Sequence, residues 1–146
     1  MILDTPENMK VHRTLSYTPH RLESIYFPEM YDIKKFPKEE TYSLTDQVRR
    51  SSRSVGAQIA EAWAKRAYEK HFISKLTDSD GEQHETQHWI ETAEDCGYIP
   101  HENSELLVEK CREVGRMLGS MIDKASLFCN PSVRSVRESQ AEYFVE

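Results

Sequence analysis

The chain has 146 residues, the size of one domain, with 38% apolar and 30% charged side chains and a formal net charge of −6. An acidic total argues against a general nucleic-acid coat, which needs clustered cations along a phosphate backbone. No run approaches the ~18 consecutive apolar residues of a membrane span.

Residues 1–18 show no periodicity, contain Pro6 and read as a flexible arm. Their opening, MILDTPENMKVHR, lacks the apolar core of a signal peptide. A first helix is expected within 19–36 on Leu22, Ile25, Tyr26, Tyr31 and Ile33. Pro28 either kinks it or stands in its first turn. Phe36-Pro37 ends that element. A second helix is expected from Lys38 to Lys65, with Leu44, Val48, Val55, Ile59 and Ala62 as its seam. Beside the seam lie Ser51, Ser52, Gly56, Ala57, Ala60 and Ala64, small residues that allow close approach and place this helix centrally, with neighbours on two sides.

No Gly or Pro marks the next break, and the pattern alone would carry one helix on to Gly97. At 1.5 Å per residue it would exceed ~85 Å, too long for a small domain, so a turn is required near Lys65–Lys70. The third helix then runs from Tyr68 to Cys96. Its seam is Phe72, Leu76, Ser79, Gln83, Thr86, Ile90, Ala93 and Gly97, polar at the centre. Gly97 is expected as a C-cap and Pro100 as a stop. Asn103 or Ser104 is expected to cap the fourth helix. Its seam of Leu107, Cys111, Val114, Leu118, Met121, Ala125 and Phe128 steps by four and three. That helix ends at Asn130-Pro131, and 131–146 reads as a flexible polar tail. Residues 19–130 thus form an all-α bundle of long helices. Cys96, Cys111 and Cys129, an odd number without a CxxC pair, read as reduced thiols of a cytoplasmic protein.

If the second and third helices form an antiparallel hairpin, Ile59 faces Leu76, and Val48 faces Thr86 or Gln87. The same register pairs Arg53 with Glu82 and puts Arg49 or Arg50 near Glu85. Ser51, Ser52, Ser79 and Gln83 share that level. We expect a polar interhelical layer of guanidinium–carboxylate pairs and hydroxyls, because the planar fork of Arg binds a carboxylate at two points. Its role is structural, since a slipped register would bury a charge alone. The layer holds no nucleophile activated by a base, so no catalytic residue is assigned.

His84-Glu85-Thr86-Gln87-His88 matches HExxH, the helical zinc signature of metallohydrolases. That reading is disfavoured. The seam passes through Gln83, Thr86 and Ile90, and at ~100° per residue His84, Glu85 and His88 point away from it. His101 lies past the helix end, so no third ligand follows, and neither metal nor cofactor is assigned.

The charge is unevenly spread. Residues 71–106 hold one Lys against nine acids, and residues 38–70 hold seven basic side chains against five acids. Arg49, Arg50, Arg53, Lys65 and Arg66 are the candidate nucleic-acid contacts, weakened by the acidic total and by the carboxylates facing the first three. Trp63, Tyr68, Phe72 and Trp89 lie near one end, where they offer an intersubunit surface or cap the bundle's own core.

Two segments carry a resemblance: Phe36-Pro37 followed by SLTDQVRRSSRSVGAQIAEAWAKR (43–66), and KLTDSDGEQHETQHWIETAEDCGYI (75–99). Together they resemble the four-helix-bundle family encoded by intervening sequences of bacterial 23S ribosomal RNA genes, which is related to accessory proteins of diversity-generating retroelements. The resemblance implies an antiparallel up-down four-helix bundle that assembles as a ring of five, with no established enzymatic activity. It also implies RNA or DNA binding in some members. Two departures stand out. The family's Asn-Ile-Ala-Glu-Gly reads Gln58-Ile59-Ala60-Glu61-Ala62 here, and this chain is acidic where the retroelement partners are strongly basic. A non-enzymatic, homopentameric scaffold is therefore the expected function, and nucleic-acid binding its alternative. The ring requires a heterologous interface, one face of each subunit meeting a different face of the next.

Overall fold

The computed structural model describes residues 36–129. The expected arm, most of the first helix and the tail lie outside them. All regular structure among the described residues is helical: a 3-10 turn at Lys38–Glu40, α1 at Leu44–Ala64, α2 at Glu69–Asp95, α3 at His101–Asp123 and a single turn, α4, at Ala125–Phe128.

Helix α1 begins six residues later than the pattern suggests. Pro37 leads into the 3-10 turn, and Ser43 is non-helical at φ −121°, ψ −102°. The entry is held by Glu40, whose Oε2 accepts from the Leu44 amide at 3.2 Å and from the Ser43 hydroxyl. One of the amides that a helix start leaves unpaired is thereby satisfied. Tyr98 donates to the other Glu40 oxygen at 3.1 Å and ties this corner to the segment after α2.

The turn at 65–68 needs no glycine. Arg66 folds back, donates from Nη1 to the Trp63 carbonyl at 2.9 Å and lies 4.3 Å from the centre of the Trp63 ring. This guanidinium satisfies a terminal carbonyl and gains a cation–π contact at once. At the far end of α2, Gly97 takes φ +73°. Its amide bonds to the Glu94 carbonyl at 2.8 Å, and the Tyr98 amide reaches the Ala93 carbonyl at 2.9 Å. Those two bonds define a Schellman cap, as the glycine led us to expect. Neither Asn103 nor Ser104 caps α3. Its N-cap is Pro100, and Ser104 is buried at 1% exposure in the helix body. The seam periodicity continues past Asp123, but Lys124 leaves the helical range at ψ 22° and splits off α4.

Helix α2 packs lengthwise against both α1 and α3. It, and not the helix before it, is the central one among the described residues. Its seam is buried from Phe72 to Ala93, whereas of the small residues beside the α1 seam Ala57, Ala60 and Ala64 are exposed and Ser51, Ser52 and Gly56 lie inside. Two apolar clusters result. One gathers Leu44, Val48, Ile90, Ala93, Leu107 and Cys111; the other gathers Ile59, Phe72, Leu76, Val114, Leu118 and Met121. The aromatics do not share an end. Trp89 packs on the first cluster, while Trp63 and Phe72 meet Phe128 in the second, at ring distances of 6.5 and 5.8 Å.

Candidate functional site

The polar residues of the hairpin lie between the two apolar clusters. Facing contacts put Val55 opposite Ser79, Ser51 opposite Thr86 and Gln58 opposite Lys75. The helices are therefore antiparallel, in a register within a turn of the one the seams suggest. Ser79 donates to the Val55 carbonyl at 2.9 Å. The Thr86 and Ser51 hydroxyls share a bond of 2.9 Å, and Thr86 donates to its own helix at the Glu82 carbonyl, 2.8 Å away. Ser51, Ser79 and Thr86 are all fully buried.

Gln83, 3% exposed, completes the layer toward α3. Its Nε2 donates to Asp80 at 3.0 Å, and its Oε1 accepts from Gln87 at 2.6 Å. Space for it comes from Gly115 on α3, where an added Cβ would lie 2.9 Å from Gln83 Nε2. Thr86 was visible as a polar seam position. Gln87 was placed only as a possible neighbour of Val48, and Gly115 and Asp80 carried no expectation, although a glycine midway along a long helix is a usable signal of close approach.

The charges sit at the rim and not in the layer. Arg50 reaches Glu85 through Nη2, and its Nη1 lies 3.9 Å from Glu82. The Arg50 side chain is 50% exposed, Glu85 34% and Glu82 20%. Burying both ions would cost more in desolvation than their attraction returns, so the long Arg stem keeps its head in water. Among the described residues, Glu82 Oε2 is a buried atom without a hydrogen-bond partner, in reach of Arg50 only through that longer contact. Arg49 is half-buried and Arg53 exposed. Ser52 spends its hydroxyl within α1, on the Arg49 carbonyl at 3.2 Å, and does not bridge to α2.

The HExxH residues do not converge. His84 is 68% exposed and lies 3.7 Å from Asp80. His88 is exposed with its ring 4.7 Å from that of Trp89. Glu85 is engaged by Arg50 and by Trp89 Nε1 at 3.1 Å. Among the described residues no three His, Cys, Asp or Glu are grouped as a metal site. Burial pushes the Cys111 thiol up to about 12, so it stays protonated and packs as an apolar group. Burial raises Cys129 as well, and Cys96 is exposed; all three thiols are free.

Of the nucleic-acid candidates, Arg50 is committed to Glu85 and Arg66 to Trp63, while Lys65 is exposed at the turn. Lys75, the lone basic residue of the acidic stretch, bridges α2 to α1. It lies 2.8 Å from Glu61 and donates to Gln58 at 3.1 Å, which raises its own pKa and lowers that of Glu61. Ala62, where the family motif has glycine, is fully buried in the second cluster.

No helix among the described residues is long and apolar enough to cross a membrane. No curated protein matches the chain significantly. A solved structure from Bacteroides thetaiotaomicron, a protein of unknown function from the S23 ribosomal protein family, is similar at 27% identity with a TM-score of 0.59. The match covers 82% of this chain and 99% of that one. Residues 26–120 match the family described as 23S rRNA-intervening sequence protein. With its helical hairpin, buried neutral layer and matching motifs, the chain belongs to the 23S rRNA-intervening sequence protein family.

Proposed function

We propose that this protein is a non-enzymatic cytoplasmic scaffold that closes into a homopentameric ring. The observation that supports it best is the fate of the buried polar side chains. Ser51, Ser79, Gln83 and Thr86 are spent on one another and on adjacent carbonyls and amides, which is how a register lock behaves and not a reaction centre. Exposed acids on α2 and α3, Glu91, Asp95, Glu102 and Glu105, give one face of the subunit a strong negative charge that a different face of its neighbour can meet. Exposed Leu106 and Leu127 add apolar area to such contacts. Light scattering on the purified protein tests the reading. A particle of about 85 kDa, five times the 17.1 kDa chain, supports it, and a monomer overturns it.

A further inference from the structure

We infer that His84 and His88 form a two-imidazole chelate for a divalent transition-metal ion on the outward face of α2. This goes beyond the scaffold reading and does not depend on it. It is not the hydrolytic centre that the HExxH spacing suggests, because Glu85 is held by Arg50 and Trp89 and takes no part. Residues four apart stand one above the other on a helix, with Cβ atoms about 5–6 Å apart, so two imidazoles at that spacing reach one ion together. Both side chains are exposed. His84 now lies toward Asp80 and His88 beside Trp89, and exposed side chains turn between rotamers within nanoseconds, so convergence on an ion costs little. Gly81, one turn before His84, keeps the approach open: a Cβ added there would meet nothing within 4 Å among the described residues.

The donors select the ion. Neutral ring nitrogens suit Zn²⁺, Ni²⁺ and Cu²⁺, with Cu²⁺ the tightest, and not Ca²⁺ or Mg²⁺, which take oxygen ligands. Water fills the remaining positions, and the chelate clamps one turn of α2. The surrounding charge draws cations. Residues 78–91 carry Asp78, Asp80, Glu82, Glu85 and Glu91 and neither Lys nor Arg; from outside that stretch, Arg50 answers Glu85 and Glu82, and Lys75 answers Asp78. Asp80 also steadies the first imidazole. Its Oδ1 accepts from buried Gln83 at 3.0 Å, which aims Oδ2 at His84 Nε2, 3.7 Å away. A carboxylate so placed orients a ligand ring.

Titration of the full-length protein with Cu²⁺, followed by tryptophan emission, tests the site, because a bound Cu²⁺ ion quenches a nearby indole. The His88 ring lies 4.7 Å from that of Trp89, whereas Trp63 packs on the other apolar cluster. Wild type is expected to show saturable quenching at one ion per chain, reversed by a chelator. His84→Gln and His88→Gln should each weaken it about 100-fold, since either change turns a two-point attachment into a single contact. His71→Gln and His101→Gln should leave it unchanged. Ni²⁺ should raise the melting temperature of wild type and not that of the double variant. Circular dichroism establishes that these exposed variants fold. Absence of quenching in wild type overturns the proposal, as does quenching that survives in the double variant. Single variants that bind as tightly as wild type overturn it too, by showing isolated imidazole contacts and no chelate.

Discussion

Replacing Thr86 by valine keeps the shape of a fully buried side chain and deletes its hydroxyl. The Glu82 carbonyl loses an acceptor role that helix geometry already duplicates. Ser51 loses its 2.9 Å partner and retains only a 3.3 Å contact to the Val48 carbonyl. A buried hydroxyl left short of a partner costs about 1–3 kcal/mol, and the valine methyl offsets part of that, so Thr86→Val should destabilise by about 1.5 kcal/mol. Ser51→Ala should cost about 0.5–1 kcal/mol, because Thr86 keeps its bond to the Glu82 carbonyl. The double variant removes both partners and leaves neither hydroxyl stranded. It should therefore cost about 1 kcal/mol less than the sum of the singles. Urea unfolding of the four proteins followed by circular dichroism reads this directly. Strict additivity, within about 0.3 kcal/mol, would refute the bonded layer.

Three further outcomes follow from the same geometry. Gly119→Ala meets nothing within 4 Å among the described residues and should stabilise α3 by about 0.5–1 kcal/mol, whereas Gly115→Ala drives a methyl onto Gln83 and should destabilise by about 1–2 kcal/mol in the same denaturation assay. Glu85→Ala should cost no more than about 1 kcal/mol, because its partner Arg50 is half exposed; a loss near 3 kcal/mol would mean the pair is buried. His101 hydrogen-bonds Glu94 at 2.5 Å, and that contact raises the His101 pKa. The stabilisation it provides is complete below the ordinary histidine pKa of about 6.5 and is lost as pH rises through the higher folded value. Glu94 is lowered, first by the Ser104 hydroxyl and then by His101, so its own contribution is lost as pH falls through its depressed folded value. Melting temperature against pH should decline in wild type as pH rises through the raised folded value of His101, and lose that limb in His101→Gln.

The three long helices were legible because their burial is periodic. Phe72 through Ala93 reads as one line at steps of four and three, and the polar members of that line are buried with the rest. Gly97 was legible because a left-handed cap leaves few residue choices. What sequence order hid was settled by contacts between distant residues or by side chains folding back. The late start of α1 depends on Glu40 acting as its cap with help from Tyr98. The turn after Ala64 depends on Arg66 settling over Trp63. Where the sequence led us to expect an arginine–carboxylate layer, register brings Arg50 to Glu85, and desolvation keeps these charges at the rim and leaves the centre to hydroxyls and Gln83. Gly115 could be assigned only once α3 lay against α2, since its role is to leave room for a glutamine more than thirty positions away in the chain.

Self-assembly is what we propose for this bundle, and electron microscopy of the purified wild-type protein gives its sharpest test. Closed particles with fivefold rotational symmetry are the predicted result. Isolated single-bundle particles, or open filaments without closure, would contradict it.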